Sequence, residues 1–408
     1  MQHQIQQELT EMKSKCLVKA EGSSSSDIIS TLPQTILETI LSLLPTEEAA
    51  RTSILSREWR YKWTKIPKLD FCLSQVFERI NKGNQVKGKS MDRIRKLFST
   101  LHQILLSHQG PIHEFTLDID LLGGYHDNVG FDLLIRHLSK NHMVKKLILC
   151  GRDVADCYDL PISVFSLHHL TDLDLSCLDL GHQPISVGFA GLRSLVLYYV
   201  GISTDNLLHL LSNCPSLNSL TLLTYLDHHD RNCPIIELFE CVPTIENLSI
   251  YMDVLKWVNI NSVPKVLPTS LLHLKYFCFE DMCFVDGYGL GFLLVLIKCA
   301  PNLEKIKLET NWNHRCFWNY SVVWEEYSDV WLEHLNELEI ALFRNTNELE
   351  IAQYRITKPE MEFMKFILAR SPKLKKVRIQ SVGDGEEKLK MVEVLSRAPR
   401  ASPAIIYD

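Results

Sequence analysis

Apolar side chains recur along this chain with two periods, and the change from one to the other marks its organisation. From about Asp27 the spacing is helical. Ile36, Leu37, Ile40, Leu43 and Leu44 follow the helical period after Pro33, which suits a first turn, and Pro45 stops the run. Thr46 is placed to cap a second helix, with Glu47 and Glu48 in its first turn, reaching about Leu55. Ser56 is placed to cap a third, Arg57 through Trp63, which carries Trp59 and Trp63 on nearly the same face. Helices this short enclose little among themselves, so they need a partner surface.

An amphipathic segment around MDRIRKLFSTLHQILLS follows, and then the period changes. The unit is LxxLxL with conservative variation, starting at Ile112, Val144, Leu170, Leu192, Leu217, Ile245, Leu274, Leu303, Leu335 and Leu374, at intervals of 22 to 39 residues. Residues three and five after each start point inward from a strand; those two, four and six after it point to an open face. The segments between read as helices or turns. Ser203 is a cap ahead of Leu207, Leu208, Leu210 and Leu211, and Pro215 ends that helix. A proline two residues before the next unit returns at Pro243, Pro301 and Pro372. A unit of one strand plus one helix or turn cannot bury its apolar side alone and is stabilised by stacking on its neighbours, as in a leucine-rich-repeat array with parallel strands on its concave side.

The run LPQTILETILSLLPTEEAARTSILSREWRYKWTKIPKLDF resembles an F-box, particularly the plant form, over nearly its full length. Leu-Pro, the apolar helix, Leu-Leu-Pro, Ala-Ala-Arg-Thr-Ser, Leu-Ser-Arg, Trp-Arg, a second Trp and Ile-Pro-x-Leu-x-Phe occur in order. The resemblance implies docking onto a Skp-type adaptor and, through it, a cullin scaffold. Carried over position by position, Leu32, Pro33, Ile36, Leu37 and Ile40 form the first docking strip; Leu43, Leu44, Pro45, Leu55 and Ser56 continue it, and Trp59 and Arg60 finish it. On this reading Trp59 serves the adaptor and Trp63 the protein's own interior. From about Leu335 the chain resembles the FBD domain that ends many plant F-box/leucine-rich-repeat proteins: a strand, a charged loop, a helix beginning near Pro359, the strand starting LKKVRI, and a final helix and strand.

The expected fold is therefore α/β: a three-helix F-box, a leucine-rich-repeat solenoid and an FBD-like end. The expected boundaries are a flexible arm at 1–26 ending in EGSSSS, the F-box at 27–73, linker helices at 74–110, repeats at 111–334 and the FBD-like region at 335–408.

Composition narrows the function. The net charge of −6 and pI near 6.2 argue against general nucleic-acid binding. No apolar run reaches the length of a membrane span, and the first residues lack the order of a secretory signal, so nucleus or cytoplasm is expected. The 12 cysteines have no CxxC pair, and most lie in apolar runs, as reduced core residues do. Chemical motifs are scarce. DGYGLG, with Gly287, Gly289 and Gly291, has the spacing GxGxG and no following P-loop lysine; the pairs His168-His169 and His228-His229 have no second ligand pair. No cofactor, metal or catalytic residue is expected.

On the open face the register places Glu114, Thr116 and Asp118, then Asp172 and Asp174, then Tyr198, Asn247, Ser249 and Tyr251. Lys305, Lys307, Lys376 and Arg378 follow, beside Glu309, Glu337 and Glu339, and the expected consequence is an acidic-to-basic gradient that orients a charged partner. Tyr198, Tyr251, Lys305, Lys307, Lys376 and Arg378 are candidate target-binding residues; the alternative is that they are solvated strand positions. Trp318 and Trp324 join them from the aromatic-rich segment 312–331, which reads either as a binding loop or as a plug sealing the end of the core. The function implied is substrate recognition in a Skp/cullin/F-box ubiquitin ligase, with an unidentified target protein on the repeats and no membrane or nucleic-acid partner. Two alternatives stay open: a non-proteolytic binding module, and a small-molecule receptor of the F-box class.

Overall fold

The computed structural model describes residues 29, 32–72, 90–119, 128–151, 157–181, 188–226, 235–251, 270–282, 284, 288–311, 324–343, 358–381, 392–402 and 406–407. The N-terminal arm, Trp318 and the His228-His229 pair lie outside them. The chain divides into two units, Met1–Leu147 and Ile148–Asp408.

In the first unit, α1 spans Gln34–Leu41, with Pro33 as its cap rather than its first helical residue. The helix ends three residues before Leu44, where the Ser42 hydroxyl donates to the Glu38 carbonyl at 2.6 Å. Helix α2 spans Thr46–Arg51 and runs on as a 3-10 turn, Thr52–Ile54. Thr46 does not cap it. Pro45 holds that position, and the Thr46 hydroxyl instead accepts from the backbone N–H of Asp70 at 2.6 Å. The third element is a 3-10 helix, Trp59–Lys65, which starts two residues later than expected. Ser56 still receives the Trp59 N–H, at 3.4 Å. Pro67 disfavours helical backbone at Ile66, which is extended and closes the element.

Strand β1, Lys68–Cys72, pairs in parallel with β2, Glu114–Asp118, placing Leu69 beside Phe115 and Phe71 beside Leu117. The segment IPKLDF is thus itself a repeat unit: Ile66, Leu69 and Phe71 are buried at its start and three and five residues on. Its sequence belongs equally to the F-box pattern, which hides the repeat in it.

Helix α3, Ser90–Ser107, buries Ile94, Phe98, Leu101 and Leu105 against Phe131, Leu134 and Leu138 of α4, Asn128–Asn141. Just after α3, the N–H groups of Gln109 and Gly110 both donate to the Thr64 carbonyl, at 2.8 and 3.1 Å. Gly110 is required there: a Cβ would come within 2.6 Å of the Lys65 carbonyl oxygen. Four imidazoles form a chain between the two helices, with ring centroids 5.2 Å apart for His102–His137, 5.7 Å for His137–His142 and 6.2 Å for His142–His108. Strand β3, Lys146–Cys150, falls at the boundary between the units.

The second unit is a parallel ladder with a short side pair, β4 (Tyr158–Asp159) with β6 (Leu178–Asp179). Its main path runs β5 (Asp172–Ser176), β7 (Ser194–Ile202), β8 (Ser219–Leu226), β9 (Asn247–Tyr251), β10 (Tyr276–Met282), β11 (Lys305–Asn311), β12 (Glu337–Phe343), β13 (Lys376–Ser381) and β14 (Ile406–Tyr407). The helices α5 (Thr204–Ser212), α6 (Ile235–Cys241), α7 (Tyr288–Cys299) and α8 (Lys358–Arg370) fall between strands. Ser203 caps α5 by accepting the Asn206 N–H at 3.3 Å, and Leu207, Leu210 and Leu211 are buried while Leu208 is half-buried.

Repeat starts and inward positions are buried as expected, from Leu173 and Leu175 on β5 to Val377 and Ile379 on β13. Gly289 and Gly291 lie inside α7, so that part of DGYGLG is helix, and Gly287 lies outside the described residues. Two strands break register on the open side. A bulge lies between Tyr198 and Val200 on β7, another between Phe279 and Met282 on β10. Tyr199 and Asp281, at φ 52° and 58°, hold left-handed backbone there.

Candidate functional site

Two surfaces stand out, and each lies within one unit. Helix α1 is apolar on two sides. Leu37 and Leu41 point into the unit, while Ile36 and Ile40, also four residues apart, are exposed. Leu43, at 81% exposure, and Leu44 continue this outer strip through the turn to exposed Pro45, and Leu55, at 66%, lies on the stretch before Trp59. Pro33, Ser56 and Arg60 are exposed as well, and Leu32 is half-buried. Eight of the eighteen large apolar side chains exposed among the described residues fall between Ile29 and Tyr61. A patch so concentrated marks an interaction site. Ile29, Ile54 and Tyr61 belong to it without having been picked out by the F-box pattern.

Two residues of the expected strip are not on it. Leu37 is wholly buried and Trp59 is 6% exposed, so both serve the internal core. The expected division between the indoles does not hold: Trp59 is internal, and Trp63 is only half-buried. The cause is winding: in an α-helix residues four apart lie about 40° apart, but with three residues per turn they lie about 120° apart.

The second surface is the open face of the ladder in the second unit. Register brings its outward side chains into rows across the strands. One row runs Asp172, Ser194, Ser219, Asn247, Tyr276, Lys305, Glu337, Lys376; the next runs Asp174, Val196, Thr221, Ser249, Cys278, Lys307, Glu339, Arg378.

The expected basic pole at the C-terminal end is absent. Lys305 lies 3.4 Å from Glu337 and 3.2 Å from Glu339, Arg378 reaches Glu337 at 3.3 Å, and Lys307 reaches Glu309 at 2.5 Å. The Glu309 carboxylate holds the Lys307 ammonium above its ordinary pKa. Neighbouring strands cancel one another's charge there, so the expected acidic-to-basic gradient does not run along this face.

The aromatic candidates separate. Trp324 sits in a 3-10 turn, Trp324–Tyr327, donates its indole N–H to Glu362 at 3.3 Å and packs on Phe366, 5.2 Å away. Its partners are residues of α8, so it seals the flank of the FBD helix and does not reach the open face. Tyr198 and Tyr251 do lie on that face, their rings edge-to-face at 6.1 Å, with Tyr199 4.6 Å from Tyr198. Burial and a hydrogen bond to the Glu280 carboxylate hold the Tyr251 hydroxyl far above its ordinary pKa, and burial also raises Glu280. The Cys278 thiol, buried although in an outward row, is pushed up to about 12. Glu280 was not among the sequence candidates; it sits six residues after the start at Leu274, as Tyr198 does after Leu192.

Among the described residues, no His, Cys, Asp or Glu side chains group as metal ligands, and no helix is long and apolar enough to cross a membrane.

Comparison with known proteins agrees with this architecture. Residues 29–71 match the F-box domain model, residues 131–304 the model for the leucine-rich repeats of FBD-associated F-box protein At5g56370, and residues 332–379 the FBD model. The chain is 28% identical to the Arabidopsis thaliana F-box/FBD/LRR-repeat protein At1g13570, over 93% of this chain and 97% of that protein. It is 31% identical to the putative F-box/FBD/LRR-repeat protein At4g13965 of the same plant, over 66% of this chain and 57% of that one. Among solved structures, the leucine-rich repeat-containing protein LegL7 of Legionella pneumophila aligns at 14% identity and a TM-score of 0.36, over 73% of this chain and 93% of that one; so low a score carries no argument. With an F-box at its N-terminal end, leucine-rich repeats in the middle and an FBD behind them, the chain belongs to the F-box/FBD/leucine-rich-repeat proteins.

Proposed function

We propose that this protein is the substrate-recognition subunit of a Skp/cullin/F-box ubiquitin ligase, docking the adaptor through its F-box and a target protein through the open face of its repeats. An F-box implies a Skp1-type adaptor as partner, and an F-box with leucine-rich repeats is the arrangement of a non-catalytic substrate adaptor. The observation that carries the reading is the strip Ile36, Ile40, Leu43, Leu44 and Leu55, apolar and exposed on a unit that already has a core. Covering such side chains contributes roughly 1.5 to 3 kcal/mol each when burial is complete, before the ordering costs of association.

No group here needs to react. A target held on the repeats while the adaptor is anchored through a cullin to the ubiquitin-charged enzyme has its lysines at a raised effective concentration. The compartment this reading predicts is nucleus or cytoplasm.

The test compares wild type with Ile40→Ser/Leu43→Ser in co-purification with a Skp-type adaptor, and repeats proximity labelling with and without proteasome inhibition. Adaptor capture lost in the double variant, with some neighbour accumulating only under inhibition, is the expected result. Equal capture by both forms would remove the docking strip from the reading; neighbours unaffected by inhibition would favour a non-proteolytic module.

A further inference from the structure

The open face has irregularities on β7 and β10, with β8 and β9 between them. Strands β7 and β10 each carry a bulge, and Tyr199 holds left-handed backbone, which side chains other than glycine, asparagine and aspartate rarely adopt. Strained positions of this kind persist where the surrounding structure requires them and cluster at binding sites. Between the two bulged strands, β9 ends in Tyr251. The ring of Tyr198 stands nearly perpendicular to those of Tyr199 and Tyr251, and Tyr198 remains 37% exposed. Tyr251 stands opposite Glu280 of β10 in the strand register, and the Glu309 carboxylate is near enough to act on Glu280.

Charge at this corner is unbalanced. Among the described residues, the ammonium that acts on Glu280 and Glu309 is that of Lys307, which is paired with Glu309. Lys305 and Arg378 are engaged by Glu337 and Glu339. Toward β5 the outward charges are Asp172 and Asp174.

We propose that Tyr198, Tyr251 and Glu280 form a receptor for a cationic side chain, arginine or lysine, on an exposed segment of a partner protein. Ring faces attract a cation through their quadrupoles, and a carboxylate at their edge adds a charge-assisted hydrogen bond. The acidic residues toward β5 favour further basic residues in the same segment and disfavour a polyanion. The proposal rests on the reading that this face receives the target.

The experiment uses the full chain and measures fluorescence anisotropy of a labelled peptide of repeated Arg-Gly-Ser triplets, against the same peptide with citrulline for arginine. Citrulline keeps the shape and removes the charge. Wild type should bind the arginine peptide at least about tenfold more tightly than the citrulline one. Glu280→Gln and Tyr198→Leu, the latter keeping bulk without a ring, should each weaken it about fivefold. Glu240→Gln removes the same single charge from the exposed side of α6 and should change binding by less than about twofold. Equal binding of the two peptides, no binding of either, or a loss with Glu240→Gln as large as with Glu280→Gln overturns the proposal. Adaptor capture, measured on the same samples, separates the two readings: peptide results failing while capture persists sink only this inference.

Discussion

The hydroxyl of Thr46 accepts a hydrogen bond from the backbone N–H of Asp70, 2.6 Å away, and so fastens the second helix of the F-box to strand β1 of the same unit. Thr46 is 2% exposed, and the bond closes where water has little access. Thr46→Val keeps the shape and leaves that amide unsatisfied, at a cost of about 1 to 3 kcal/mol. Amide hydrogen exchange at Asp70 reads the change directly. Faster exchange in Thr46→Val, restored in Thr46→Ser, is the expected pattern; unchanged protection would mean that water replaces the hydroxyl at no cost.

Trp59 and Leu55, four residues apart, should fail in different ways. Trp59 is buried in the first unit, so Trp59→Ala is expected to destabilise that unit by about 3 to 5 kcal/mol. Leu55→Ser removes an exposed side chain and should change stability by no more than about 0.5 kcal/mol while weakening adaptor capture. Chemical denaturation and adaptor titration of the two single variants measure both quantities. A Leu55→Ser protein as unstable as Trp59→Ala would contradict the exposure assigned to Leu55.

Acid should loosen the first unit before the carboxylates titrate. Burial, and then the charge of His142, lower the His108 pKa to about 4, and burial and neighbouring imidazoles lower His137 and His142 as well. The unfolded chain therefore binds more protons than the folded one between about pH 4 and 6.5, so stability rises with pH across that window. It is fully present above the ordinary histidine value near 6.5 and is lost as the pH falls below it. At pH 5, His108 alone accounts for a loss on the order of 2 kcal/mol. Melting temperatures of wild type and His108→Asn between pH 7 and 5 check this, and the variant should show the shallower decline. Parallel declines would assign the pH dependence to other groups.

The ladder was legible because every rung solves the same problem. A start residue and those three and five after it must be apolar wherever a strand stacks on its neighbours, and that requirement survives any variation in the loops. The charge pattern on the open face was legible in principle too. Lys305 and Glu337 both stand two residues after a repeat start, so aligned starts make them neighbours, and the basic pole should have been read as neutralised. What sequence did not disclose depends on packing between elements. The 3-10 winding that turned Trp59 inward, the burial of Leu37 and the bulges at Tyr199 and Asp281 leave no periodic trace. Leu37 and Ile36 are adjacent and chemically alike, and only the position of the unit's core makes one internal and the other exposed.

The strand β1 has a consequence for how this protein is cut. A fragment of repeats begun at residue 111, where the expected linker ends, would lose Lys68–Cys72 and leave the backbone amides and carbonyls of β2 open along one side. An open side of this kind recruits any strand available, including that of a second copy, and such fragments aggregate. The short run Ile66–Cys72 therefore acts as a selvedge, finishing the edge of the fabric as well as ending the F-box.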